Sequence, residues 1–197
     1  MKIQMKIRRF LTMALAAAAM LACNEDRHTP DPEKPDTETP GETVKGKYAE
    51  GADISWVTQM EADGQKFYNA AGKEMECTAL MKELGFNAIR LRVWVDPFNG
   101  WCAKEDVLVK AKRAQELGMR IMIDFHYSDT WADPSNQKTP AAWAALPIYE
   151  LASAVETHTK ETLQLLKDNK VDVEWVQVGN ETNSGMLHPL GKISDNA

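Results

Sequence analysis

The chain has 197 residues, 29 of them acidic and 23 basic, for a net charge of −6 with the histidines neutral. That balance argues against nucleic acid as a partner, because backbone phosphates would repel it. Three cysteines make no disulfide framework, and the four histidines (His28, His126, His158, His188) lack metal-binding spacing. With no glycine-rich phosphate cradle either, neither a metal nor a cofactor is expected.

Lys2, Lys6, Arg8 and Arg9 precede an apolar run over residues 10–22 that is too short to span a bilayer as a mature helix. Residues 1–22 therefore read as an export signal. Met20-Leu21-Ala22-Cys23 resembles a lipobox, which would make Cys23 the lipidated first residue of the mature protein. Met20 departs from the usual leucine, and an ordinary secretory signal cleaved near Ala22 is the competing reading. Losing this segment removes four positive charges and no negative ones, so the net charge moves from −6 to −10. Residues 23–46 are rich in Pro, Thr, Glu and Asp and nearly empty of large apolar side chains, which predicts a solvated tether. Glu25 and Asp26 after Cys23 resemble the acidic export signal of surface lipoproteins. The expectation is an outer-membrane or cell-surface lipoprotein of a Gram-negative bacterium, touching the membrane only through lipid.

Residues 47–197 form the folded part. Residues 52–56 read as a first strand. Residues 75–84 carry Cys77, Leu80, Met81 and Leu84 at helical spacing and stop at Gly85, a favoured residue just past a helix end. A second strand follows over residues 87–95, ended by Asp96-Pro97, then a helix over 105–117 closed by Gly118. Residues 119–125 form a third strand, and residues 151–167 a helix with Leu151, Val155, Leu163 and Leu166 inward. Residues 173–178 form a fourth strand, whose Val and Trp residues suit cover on both faces. This alternation predicts parallel βαβ units. An open doubly wound sheet and a closed (β/α)8 barrel compete. The first strand-to-helix loop has no dinucleotide fingerprint, and polar and aromatic residues gather at the strands' C-terminal ends, which favours the barrel. A whole barrel takes about 250 residues. The fold expected here is thus an α/β, (β/α)8 TIM barrel truncated after about strand four.

Side-chain alternation in Arg90-Leu91-Arg92-Val93-Trp94 puts Arg90, Arg92 and Trp94 on one face. Two buried arginines need anionic or carbonyl partners, so both are expected in the barrel interior near carboxylates. The third strand runs into Asp124-Phe125-His126-Tyr127-Ser128-Asp129-Thr130-Trp131-Ala132-Asp133-Pro134. That run mixes aromatic faces, on which sugar C–H faces stack, with donors and acceptors for hydroxyls. In Val176-Gln177-Val178-Gly179-Asn180-Glu181, Gly179 lets the chain turn and a carboxylate projects where the fourth strand ends. A glutamate held there suits a general acid. Asn180-Glu181-Thr182 also matches the glycosylation sequon, which beside a buried strand reads as coincidence.

These blocks, with Gly51-Ala52-Asp53-Ile54-Ser55 and Trp175-Val176-Gln177-Val178-Gly179-Asn180-Glu181, resemble glycoside hydrolase family 53. Its members are endo-β-1,4-galactanases acting on type I arabinogalactan and pectic galactan. The resemblance implies a (β/α)8 barrel, retention of configuration, and glutamates on strands four and seven. It makes Glu181 the acid/base and gives Asn180 the 2-hydroxyl of the sugar being cleaved. It implies a galactan-binding cleft, to which Asp53, Arg92, Trp94, His126, Asp129 and Trp131 are assigned. The strand-seven nucleophile has no counterpart in these residues, nor has the late loop that holds calcium in some members. Retaining chemistry needs two carboxyl groups about 5–5.5 Å apart, and Glu174, inside the same strand as Glu181, cannot substitute. A non-catalytic glycan-binding surface lipoprotein is the alternative. Related barrels cleaving β-glucans or β-mannans also end strand four in Asn-Glu, but the strand-three block argues against them.

Overall fold

A computed structural model describes residues 48–196. The export signal, Cys23 and the tether lie outside the described residues. In chain order these form β1 (Gly51–Asp53), α1 (Val57–Ala62), β2 (Phe67–Tyr68), β3 (Glu74–Met75), α2 (Cys77–Glu83) and β4 (Ala88–Val93). Then come α3 (Lys104–Glu116), β5 (Arg120–Phe125), a 3-10 turn (Ala141–Trp143), α4 (Ile148–Asp168), β6 (Val173–Val178) and α5 (Ile193–Asn196).

Strands β1, β4, β5 and β6 are the four expected strands, paired side by side and all parallel. Their spatial order follows the chain without the reversal that defines a doubly wound sheet. The first strand is shorter than expected, because the Val57 amide bonds the Ile54 carbonyl and turns the chain into α1. Helix α1 and the β2–β3 hairpin were not anticipated.

The sheet's two faces differ as the alternation requires. Ile89, Leu91, Val93, Ile121, Ile123 and Phe125 are fully buried in the core, each contributing about 1.5–3 kcal/mol by leaving water. The pairings Asp53↔Arg90, Arg92↔Asp124 and Asp124↔Gln177 put those five polar residues together on the opposite face. Helix α3 ends as its sequence predicts. Gly118, at φ 66°, donates to Gln115, and Met119 donates to Ala114, so two carbonyls at the helix end are satisfied. Helix α4 closes in the same way with Lys170 at φ 62°, a residue no glycine rule would select.

Two burial expectations are corrected. Leu84 is 60% exposed, because it caps α2 at the turn that leads away from the core. Val176 and Val178, expected to be covered, are 41% and 63% exposed. They lie on the helix-side face of β6, which pairs with β5 alone and forms the sheet's edge among the described residues.

His158 of α4 sits buried with its ring edge-on to Phe125, Tyr127 and Trp143, and its Nε2 has no partner. Burial, helped by nearby Lys104 and opposed by Glu161 and Glu105, lowers its pKa to about 4. The unfolded chain therefore binds this proton more tightly than the folded one. The stabilisation is complete above about pH 6.5 and lost as pH falls towards 4, up to about 3 kcal/mol. His158→Phe should flatten the fall in Tm between pH 6.5 and 4, as thermal melts followed by circular dichroism would show. An equally steep fall in the variant would place the acid sensitivity elsewhere.

Candidate active site

The C-terminal ends of the four strands meet at one guanidinium. Arg90, on β4, donates to Asp53 of β1 (2.6 Å), Asp124 of β5 (2.5 Å), Gln177 of β6 (3.3 Å) and Asn180 just beyond β6 (2.9 Å). Asp53 accepts on its other oxygen from the amide and hydroxyl of Ser55 (2.9 and 2.6 Å). The Ser55 hydroxyl in turn accepts the Arg92 amide at 2.7 Å, tying the end of β1 to β4.

Asp124 is fully buried, and the same oxygen that meets Arg90 also meets His126 Nε2 at 2.8 Å. His126 Nδ1 lies 3.0 Å from the Ala132 amide, which can only donate. The proton of a neutral His126 therefore sits on Nε2 and points at Asp124. The Ala132 carbonyl is gripped as well, by Asn180 Nδ2 at 2.7 Å.

Gly179 makes the turn after β6 at φ 88°, where an added Cβ would come within 2.6 Å of the Thr182 methyl. Glu181 follows in a left-handed conformation, φ 48°, disfavoured for a residue with a side chain. Its carboxylate is exposed and meets no hydrogen-bonding partner among the described residues. Strain of this kind gathers at functional sites. Glu174, at the other end of β6, forms a two-pronged pair with Arg120 (2.7 and 2.6 Å), far along the strand from Glu181.

The structure corrects the expectation for Arg92. It is buried as predicted, yet its guanidinium meets no carboxylate among the described residues. Its central carbon lies 4.4, 4.7 and 4.6 Å from the ring centres of Trp56, Trp94 and Trp131. A planar, weakly hydrated guanidinium can lie flat against indole faces, a geometry that a strongly hydrated ammonium does not offer. One nitrogen also reaches the Cys102 thiol at 3.5 Å. Behind it, the buried Lys110 bonds Asp106 (2.6 Å) and the Ser55 carbonyl (2.8 Å). Burial pushes the Cys102 thiol pKa up, against the pull of Lys110 and Arg92.

The expected sugar-contacting residues divide accordingly. Trp131 is 41% exposed and offers a face, as does Trp56, which was not anticipated. Trp94 is buried edge-on to Trp56 and presents no free face. His126 has both nitrogens engaged, and Asp129 has both oxygens engaged, on the amides of Asp96 (3.1 Å) and Ala141 (2.8 Å). Trp94 and His126 are thus packed into the interior, and Asp129 ties two loops together. Asp53 and Asn180 join the Arg90 cluster. Asn180 is buried, with its amide oxygen and one amide hydrogen bonded, so the sequon nitrogen lies inside the fold. Arg90 was foreseen in the interior, but its role as the hub was not. Gln137 and Gln177, unremarkable in sequence, also reach the Asn180-Glu181 segment. Among the described residues no cluster of three or more His, Cys, Asp or Glu side chains could hold a metal ion.

The sequence profile of Glycosyl hydrolase family 53 matches residues 49–197. The arabinogalactan endo-beta-1,4-galactanase A of Aspergillus niger is 41% identical over 145 residues, 74% of this chain and 41% of that protein. The endo-beta-1,4-galactanase of Bacillus subtilis (strain 168) is 40% identical over 152 residues, 73% of this chain and 35% of its own length. A chain from a structural study of two fungal beta-1,4-galactanases superposes with a TM-score of 0.72 at 37% identity, over 75% of this chain and 44% of that one. The Ignisphaera aggregans GH53 catalytic domain gives 0.71 at 37% identity, over 78% and 46%. The chain thus spans about two fifths of the length of the curated relatives it matches. The parallel sheet with its alternating helices is the α/β barrel of these neighbours, cut from its first four strands. On the match over residues 49–197, the chain belongs to glycosyl hydrolase family 53.

Proposed function

We propose that this chain supplies the acid/base side of an endo-β-1,4-galactanase that hydrolyses galactan and type I arabinogalactan with retention. The observation that carries the reading is the Asn180-Glu181 corner. It holds a strained glutamate with a free carboxylate beside an amide locked to Arg90. The galactanase names of the relatives support the substrate class.

In this scheme Glu181 donates its proton to the glycosidic oxygen as the bond to the leaving galactan breaks. A carboxylate on the seventh strand, beyond these 197 residues, attacks the anomeric carbon from the opposite face. Water then enters, Glu181 takes its proton, and the glycosyl-enzyme bond is cleaved. Asn180 Nδ2 has two hydrogens, one of which goes to Ala132. The other serves the sugar 2-hydroxyl. Trp131 and Trp56 offer exposed faces for the C–H surface of galactose, with Arg92 fixing their inner faces. That tryptophan pair also suits a second reading, a glycan-holding surface protein without catalysis.

If residues 47–197 are joined to strands five to eight of a relative so that the barrel closes, Glu181→Gln should lower hydrolysis of potato galactan roughly a hundred- to ten-thousand-fold. Affinity should stay within a few-fold, because the amide keeps the shape but delivers no proton. Reducing-end release measures the first quantity, and full activity in the variant would move the acid/base elsewhere. The 197-residue chain alone should release no reducing ends, since the attacking carboxylate is expected on strand seven. Galactan binding by the catalytically silent chain, lost in Trp131→Ala, would fit both readings; hydrolysis by the closed barrel separates them.

We also infer that the protein is exported and anchored through lipid on Cys23. Cys23→Ala should move it from the membrane pellet to the soluble periplasmic fraction on immunoblots. A variant that still pellets with membranes would remove the lipoprotein reading.

A further inference from the structure

We propose that Gln137 is a positioning residue for Glu181, its side-chain amide clamping the two peptide carbonyls around the glutamate and holding it in its left-handed turn. The inference rests on the acid/base reading of Glu181 and adds the device that would aim it. Gln137 is only 5% exposed, and its Nε2 lies 2.8 Å from the Asn180 carbonyl and 3.4 Å from the Glu181 carbonyl. Both contacts are oxygens that only accept, so the amide can face this way with its NH2 group alone.

The clamp is itself braced. The Gln137 carbonyl accepts the His188 amide at 2.7 Å, and the Thr139 hydroxyl donates to the His188 carbonyl at 2.8 Å. On the other side of the corner, the Asn180 side chain is held by Arg90 and by the Ala132 carbonyl. The peptides on both sides of Glu181 are therefore fixed while its side chain is left unbonded. Position 181 needs a left-handed backbone, which glycine would adopt freely, yet it must carry a carboxylate. The conformation thus has to be imposed from outside, and Gln137 is the side chain placed to impose it. Without that donor the buried Asn180 carbonyl loses its partner. Glu181 then relaxes to negative φ and swings its carboxylate out of line. Gln137 meets Asn180 only at its peptide carbonyl, not at the side-chain amide assigned to the sugar 2-hydroxyl, so its loss should act on the chemical step rather than on binding.

The test uses the isotope-labelled 197-residue chain. Wild type should show the NMR signature of positive φ at residue 181, a strong intraresidue amide-to-Hα cross-peak with a matching carbonyl–carbonyl coupling. Gln137→Met should abolish it while the amide shifts of Leu91 and Ile123 in the central strands stay in place. Should Gln137→Met fail to fold, Gln137→Glu keeps the shape, replaces the donor with an acceptor, and should give the same loss. In the closed barrel, kcat on galactan should fall tenfold or more with KM within twofold. A positive-φ signature that survives in the folded variants, or is missing from wild type, overturns the proposal. So does a change in KM alone. Glu181→Gln should retain the signature. If it also retains full hydrolysis, the clamp stands and the acid/base assignment falls.

Discussion

The arrangement at the C-terminal side of this parallel sheet depends on a single cation. Arg90 bonds groups from β1, β5 and β6 as well as the residue just past β6. Backbone pairing sets the register of neighbouring strands, but it leaves the polar ends of the sheet undetermined. A planar guanidinium with five donors can satisfy several acceptors at fixed angles. Two carboxylates converging without it would repel each other in a poorly solvated interior. With it, Asp53 and Asp124 become anchor points for the loops that follow their strands, through Ser55 and His126 respectively.

Arg92, two residues along the same strand, solves the same problem by other means. Burying a guanidinium costs free energy that hydrogen bonds or ions must offset. Here three indole faces surround it, each contact worth on the order of 0.5–2 kcal/mol. The choice has a structural corollary. A carboxylate partner would have been absorbed in the interior, whereas two of the three indoles stay partly exposed. One strand therefore presents an electrostatic hub at one level and a stacking surface at the next.

Much of this was legible in the sequence because it follows from local periodicity. Alternation over Arg90 to Trp94 gave the correct interior face, and the glycine after residue 117 marked a helix end that forms as expected. The motif ending in Asn180-Glu181 located the corner. What escaped depends on contacts between distant segments. Nothing local distinguishes Arg92 from Arg90, yet one meets carboxylates and the other tryptophans. Nothing local shows that the Asp129 oxygens accept backbone amides from two separate loops. Gln137 lies 43 residues before Asn180, and no spacing rule connects them. Val176 and Val178 read as core because hydrophobicity reports what a residue prefers, not whether a neighbour is there to cover it.

Ala132 is held through both of its peptide groups, its N–H by the His126 ring and its carbonyl by Asn180. Trp131 is attached directly to that fixed unit, and Asn180 is attached directly to Glu181. The separation between Trp131 and Glu181 is thus spanned by one residue, Ala132, and one hydrogen bond to Asn180, like a gauge block between two jaws. Variation in the exposed residues that follow, such as Pro134 and Ser135, would leave that span unchanged. A pyranose ring resting on Trp131 would therefore keep a constant offset from the proton, so the point of scission along a polymer would be set by the frame of β5 and β6 rather than by the loop's own sequence.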